Sequence, residues 1–341
     1  MRKGRATIEA ISSYLPEGKL TNAELAEEFG DWDADKILQK TGIAIRSVAA
    51  VDECASDLGV AAAKRLFERG ACSATDVDFL LFCTQSPDYF MPTTACLIQD
   101  RLGLRTDCGA LDINLGCSGF IYGLALAKGL IEAGTVTNVL LITAETYSKF
   151  INPRDRSART IFSDGAAATL IRSIDSDDEL IGPFVFGTDG GGGQHVVVPA
   201  GGFRQPLTAE SAIEKEDRSG NWRSPKNFYM NGPEVFNFAI KNVPRALEQL
   251  LGKSGKSLDE VDYFIFHQAN RFMLDHLQNK LKIPSEKFWI DLENYGNTVS
   301  STIPIALENA RKTGAIKVGD HVVMIGFGVG YSWGAVMAQI R

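Results

Sequence analysis

Histidine and cysteine are sparse in this chain, four and six residues among 341, and no two cysteines form a CxxC pair. A structural zinc centre needs such closely spaced thiolates or imidazoles, so none is expected. All six cysteines lie between Cys54 and Cys117, and Ala6-Thr7-Ile8-Glu9-Ala10 breaks any export-type apolar core near the basic N-terminus. The expectation is free thiols in a cytoplasmic protein, not three disulfides. Long apolar runs are missing too, since none approaches the roughly 18–20 residues of a membrane span. Basic charge is in deficit, 35 Lys and Arg against 42 Asp and Glu, a net charge of −7. That balance disfavours nucleic acid as a partner, and an acidic protein partner would need a local basic patch. The glycine run Asp189-Gly190-Gly191-Gly192-Gly193 lacks the GxGxxG spacing that opens a dinucleotide-binding helix.

What is present is a repetition. Asp76-Val77-Asp78-Phe79-Leu80-Leu81-Phe82-Cys83 returns as Glu260-Val261-Asp262-Tyr263-Phe264-Ile265-Phe266-His267. Asn138-Val139-Leu140-Leu141-Ile142 returns as His321-Val322-Val323-Met324-Ile325, and Asp112-Ile113-Asn114-Leu115-Gly116-Cys117 is echoed by Asp291 to Asn297. Three echoes in one order imply two similar halves, residues 1–175 and 176–341, dividing at the polar stretch Ser173 to Glu179. Matched strand ends in such halves can face one central site, and these echoes end on Cys117, His267 and Asn297.

The short apolar runs read as buried strands, and the periodicity predicts helices over 57–69, 93–102, 117–133 and 234–251. Alternating strands and helices give an α/β architecture. The aperiodic segment 188–227 is too long for an ordinary connection and reads as a functional loop or a mobile excursion.

Cys117 follows the candidate strand Ala110 to Asn114 and precedes a helix with Phe120, Leu124, Ala127 and Ile131 on one face. A thiol at a helix N-terminus meets the positive end of the dipole and free N–H groups, and both favour thiolate. The other five cysteines read as structural thiols. His267 ends a buried strand, where α/β folds place site residues, whereas His195, His276 and His321 read as ordinary surface or loop histidines. Asn297 sits in Gly296-Asn297-Thr298, normally a turn and helix cap, and its match to Cys117 in the other half raises it above that. Gly326-Phe327-Gly328-Val329-Gly330 reads as a tight hairpin whose backbone N–H groups can meet a developing oxyanion.

These motifs together resemble the β-ketoacyl-acyl-carrier-protein synthase III family. They are Gly116-Cys117-Ser118-Gly119-Phe120, His267-Gln268-Ala269-Asn270, Gly296-Asn297-Thr298 and Gly326 to Gly334, supported by Lys40-Thr41-Gly42-Ile43, Asp155-Arg156 and Ile161-Phe162-Ser163-Asp164-Gly165-Ala166. The resemblance covers nearly the whole chain. It implies a thiolase-like fold, two pseudo-symmetric halves in a five-layered αβαβα arrangement, and a homodimer. It also implies that acyl-CoA acylates Cys117 and that malonyl-acyl carrier protein then undergoes decarboxylative Claisen condensation to a 3-oxoacyl product. By the same resemblance the backbone N–H groups of Cys117 and Val329 form an oxyanion hole, and neutral His267, protonated on Nε2, joins Asn297 in holding the enolate. Phe327 lines the site, Phe236 is a further substrate-binding residue, and Lys40, Arg156 and Asn270 hold the CoA or pantetheine arm. Arg271, Lys280 and Lys282 form a carrier-protein patch. No metal or redox cofactor is called for.

This chain departs from the family in places. Met91 stands where a phenylalanine often crosses to close the partner's acyl pocket, Lys40 replaces an arginine, and Trp32 is displaced. Asn237 and Phe272 occupy positions that are commonly basic, and the 188–227 segment is longer. These differences bear on the primer and the pathway rather than the reaction class. Two other readings remain at this point: acyl transfer to an oxygen or nitrogen nucleophile without condensation, and a non-catalytic partner subunit of a heterodimeric synthase.

Overall fold

Strands with a near-continuous apolar run offer water no polar face along it, so both of their faces must be covered. Phe79–Cys83, Asn138–Glu145 and His321–Gly328 are such strands, and all three lie inside sheets. The computed structural model describes residues 4–341. One sheet runs, in spatial order, Gly4–Tyr14, Gly165–Asp175, Asn138–Glu145, Phe79–Cys83 and Gly109–Ile113. The other runs Ile181–Thr188, Ser332–Gln339, His321–Gly328 and Tyr263–Phe266. Each has two antiparallel pairings followed by parallel ones. The second sheet's counterpart of Gly109–Ile113 has shrunk to one parallel bridge between Phe264 and Phe288. The repeated segments thus occupy the same places in two sheets.

Helices Gly119–Glu132 and Thr302–Lys312 lie between the sheets and touch both. Ala55–Glu68 and Thr94–Arg101 cover the outer face of the first sheet, and Gly232–Ser254 and Arg271–Leu281 cover the second. This is the expected five-layered αβαβα arrangement, and all four helices anticipated from periodicity form within a few residues of their expected bounds. The predicted face of Gly119–Glu132 (Phe120, Leu124, Ala127, Ile131) is buried. Gly123 lets that helix sit close, because a Cβ there would lie 2.7 Å from a Leu141 methyl group. No helix among the described residues is long and apolar enough to cross a membrane, and all six cysteines are free.

The aperiodic 188–227 segment is pinned to the body at several points. Val196–Val197 pairs with Tyr229–Met230, and Lys215–Glu216 pairs with Trp222–Arg223. Arg223 forms an ion pair with the fully buried Asp155, donating from Nη2 at 3.0 Å. Asp155 also accepts from the backbone N–H groups of Ser157 and Ala158. Removing one member of a buried pair strands the other, at a cost of about 3–5 kcal/mol. Asp155→Ala is therefore expected to lower the unfolding free energy by about that amount in urea titration. A loss below about 1 kcal/mol would mean that Asp217, which already accepts from Arg223 Nη1 at 2.7 Å, satisfies the guanidinium together with solvent.

Candidate active site

The two halves meet where their strand ends converge. Cys117 follows the Gly109–Ile113 strand, and the helix begins just beyond it at Gly119. The glycine-rich second-half strand crosses directly over this turn. A Cβ on Gly326 would lie 2.7 Å from the Cys117 carbonyl oxygen, and one on Gly328 would lie 2.8 Å from Cys117 Sγ. Gly328→Ala is therefore expected to slow acylation of Cys117 by ~10²-fold or more, the cost of roughly 1 Å of misplacement. Intact-protein mass spectrometry would check it, and unimpaired acylation would show that the strand yields easily.

His267 follows the Tyr263–Phe266 strand and Asn297 follows Gly296, whose φ of 72° suits glycine. The 295–299 loop is stitched to the first half, with Asn297 N–H donating to Ile161 O and Ser163 N–H to Asn297 O. Asn297 Oδ1 accepts from Val299 N–H at 2.9 Å and its Nδ2 donates to Ala269 O at 3.3 Å. The turn reading of Asn297 holds, and the same residue lines the cavity described next. Phe327 meets the His267 ring edge-on at 5.6 Å.

Cys117, His267, Asn270, Asn297, Phe327 and Val329 all line one cavity of about 140 Å³. Sequence reasoning missed much of its apolar wall. Tyr147, Phe162 and Phe228 form an aromatic cluster there, with centroids 5.0–5.5 Å apart, and Tyr147 OH donates to Gln85 Oε1 at 2.6 Å. Tyr147 lies just past the end of the Asn138–Glu145 strand, a position that could have been flagged. Phe228 closes the aperiodic segment and carries no periodic signal.

The thiolate expectation for Cys117 is corrected. Burial, followed by the nearby Glu145 carboxylate, pushes its thiol up to about 12, against the opposing N–H groups of Val329 and of Cys117 itself. The helix begins two residues later, so desolvation outweighs the donors at its end. Burial and the Glu145 carboxylate both favour the thiol, so alkylation of Cys117 by iodoacetamide is expected to quicken about tenfold per pH unit from about pH 6 to about pH 9. A plateau starting near pH 7 would overturn that assignment. Burial also pushes Glu145 up to about 8 and His267 down to about 3, so the imidazole is neutral.

The remaining sequence candidates, Asn270 excepted, lie outside the cavity. Asn270 both lines it and caps Arg271–Leu281, accepting from Met273 N–H at 2.9 Å. Phe236 packs against Phe272 and His276 beside the mouth. Arg156 pairs with Asp31 at 2.8 Å and lies over Phe29, whose ring touches Trp32. Lys40 is exposed on the last turn of Ala34–Thr41. Gly42 packs under Arg271, which pairs with Asp275. Lys280 instead shares a groove with Lys241 and Arg245, two basic residues that the sequence reading did not single out. Lys282 caps the helix in left-handed conformation. Met91 is 78% exposed and does not line its own chain's cavity.

A cysteine, a neutral histidine and an asparagine converging from two repeated α/β halves define a condensing acyltransferase of the thiolase superfamily. The 3-oxoacyl-[acyl-carrier-protein (ACP)] synthase III profile matches residues 111–190, and the profile of that synthase's C-terminal part matches 251–340. The β-ketoacyl-[acyl-carrier-protein] synthase III of Caldanaerobacter subterraneus subsp. tengcongensis is 39% identical over 328 residues, 96% of each chain. A crystal structure of a 3-oxoacyl-(acyl-carrier-protein) synthase III matches with a TM-score of 0.98 at 53% identity, over 98% of this chain and 100% of that one. The 3-oxoacyl-(acyl-carrier protein) synthase of Burkholderia xenovorans LB400 matches at 0.90 and 35% identity, over 100% of this chain and 95% of that one. The chain belongs to the β-ketoacyl-acyl-carrier-protein synthase III family.

Proposed function

We propose that this enzyme joins a short acyl group from acyl-CoA to malonyl-acyl carrier protein, with Cys117, His267 and Asn297 as its catalytic residues. The observation that carries this reading is their convergence on one apolar cavity whose lining includes Val329. In the first half-reaction Cys117 Sγ bonds to the thioester carbonyl carbon. The oxyanion forms against the N–H groups of Cys117 and Val329, and CoA leaves with the thiol proton. In the second, the malonyl carboxylate leaves as CO2, and its electron pair passes to an enolate whose oxygen His267 and Asn297 hold. The enolate carbon then attacks the acyl-cysteine, and the freed sulfur regains a proton from solvent. Neither a metal nor a redox cofactor enters this sequence.

Size supports a short primer. A cavity of about 150 Å³ holds one benzene-sized group, and the aromatic wall leaves about 140 Å³ here. Acetyl- to butanoyl-CoA are expected to add mass to the protein, with octanoyl-CoA at least ~10-fold slower because it must overpack the wall. Phe228→Ala should narrow that gap. Acyl-dependent CO2 release from malonyl-acyl carrier protein tests the condensation itself, and acylation without CO2 release would point to transfer to another nucleophile.

The same reading gives the carrier protein a docking site at Lys280, Lys241 and Arg245, with Phe236 beside the cavity mouth and Arg271 on a neighbouring surface. Lys40, Arg156 and Asn270 would hold the CoA arm. A homodimer fits the exposed Tyr89, Phe90, Met91 and Phe203 and the open edge of the Gly109–Ile113 strand. In that dimer Met91 would reach the partner's acyl pocket. The proposed location is the cytoplasm.

A further inference from the structure

His267 can donate to an enolate oxygen only if its proton sits on Nε2, and the ring alone does not decide which nitrogen carries it. Its Nδ1 lies 2.7 Å from Thr302 Oγ1, and among the described residues no other hydrogen bond is made by the ring. Both residues are buried. Thr302 Oγ1 is also 3.0 Å from the Val299 carbonyl oxygen. A hydroxyl has one proton to give, so two arrangements exist. If it goes to Val299, then Nδ1 must carry the imidazole proton and Nε2 is bare. If it goes to Nδ1, then Nε2 carries the proton and faces the cavity.

Two observations favour the second arrangement. The contact to Nδ1 is the shorter, and the Val299 carbonyl already accepts from Thr302 N–H, so it keeps a donor when the hydroxyl turns away. The turn itself is unusual. Val299 has a φ of 56°, left-handed backbone that a β-branched residue seldom adopts. Such strain persists where surrounding contacts over-determine it, commonly at functional sites. Here the residue's N–H fixes Asn297 Oδ1, so Nδ2 is set as the donor end, with one N–H on Ala269 O and the second left for the enolate, and the Val299 carbonyl receives the start of the helix that carries Thr302.

We infer that Thr302 is a positioning residue whose hydroxyl donates to His267 Nδ1 and so holds the imidazole as the Nε2–H tautomer that the decarboxylation step requires. The strained Val299 turn sets both enolate donors from one residue. This inference rests on the catalytic role given to His267 above.

Histidine-selective 15N labelling of the whole enzyme, with the His267 signals assigned by their loss in His267→Asn, reads the tautomer directly. The expected result is a protonated Nε2 and a bare Nδ1 in the wild type. A wild-type ring protonated on Nδ1 would overturn the inference, whatever any variant does. In parallel, Thr302→Val keeps the shape and removes the hydroxyl. It should lower kcat for malonyl decarboxylation by ~10–100-fold, the usual cost of losing a partner that orients a working side chain, while KM and acylation of Cys117 stay near wild type. Thr302→Ser should restore the rate. Thr302→Val that acylates and decarboxylates at wild-type rates would also overturn the inference. If His267→Ala itself decarboxylates normally, the role of His267 fails instead, and the tautomer measurement still stands alone.

Discussion

Cys117→Ala is expected to abolish condensation, with a loss on the order of 10⁴-fold or more, the scale seen when a covalent nucleophile is removed from a preorganised site. No protein-bound acyl group should form with any acyl-CoA. The same variant should still release CO2 from malonyl-acyl carrier protein, because the enolate donors hang from other elements. His267 is held by the second sheet and Thr302, and Asn297 by Val299 and Ala269. The substitution also removes a thiol from a site that opposes ionisation, so the apolar replacement should cost little stability. A variant that keeps an acyl adduct would move the nucleophile elsewhere. Cys83 is the alternative packed against the same helix start, beside Gly119, but it is fully buried, with its thiol pushed well above the usual range by desolvation. A variant that loses decarboxylation together with acylation would show that the two half-sites are not separable.

Much of this arrangement was legible in the chain because it is written twice. The apolar octet ending at Cys83 and the one ending at His267 differ in detail but demand the same environment, a strand covered on both faces. Two copies of that demand, with their neighbours in the same order, leave few topologies. The strand ends then bring Cys117, His267 and Asn297 together through topology alone. What stayed hidden depends on distances that no periodicity encodes. Desolvation of Cys117 comes from Gly326 and Gly328 crossing within van der Waals reach of its turn, more than 200 residues away in sequence. The helix-dipole argument was sound for a solvent-exposed turn and loses at a buried one. The basic groove of Lys241, Arg245 and Lys280 joins two helices whose pairing is tertiary. Arg271 faces Gly42 instead, so a patch read along one helix divides between two surfaces. Tyr147 and Phe228, which limit the cavity, come from a strand exit and from the end of the aperiodic segment.

His267→Ala and Asn297→Ala are each expected to slow malonyl decarboxylation by ~10²–10³-fold, the cost of one lost donor to a developing oxyanion. Cys117 should still acylate at close to the wild-type rate in both, because its oxyanion donors are backbone N–H groups of Cys117 and Val329. The double variant should lose less than the product of the single losses, since the two amide and imidazole donors serve one oxygen and share the Val299 turn. The pH dependence gives a second discriminant. Burial holds the His267 imidazole down at about 3, so it stays neutral well below neutral pH and gains a proton only near that value. The decarboxylation rate should therefore show no acid limb from His267 between about pH 5 and about pH 8, where an exposed histidine would titrate at about 6.5. An alkaline limb near pH 6.5, with the rate falling as pH rises, that disappears in His267→Ala would mean that the ring works as a charged group. Enolate stabilisation would then rest on an imidazolium, and burial would be offset by substrate charge that enters with the malonyl group.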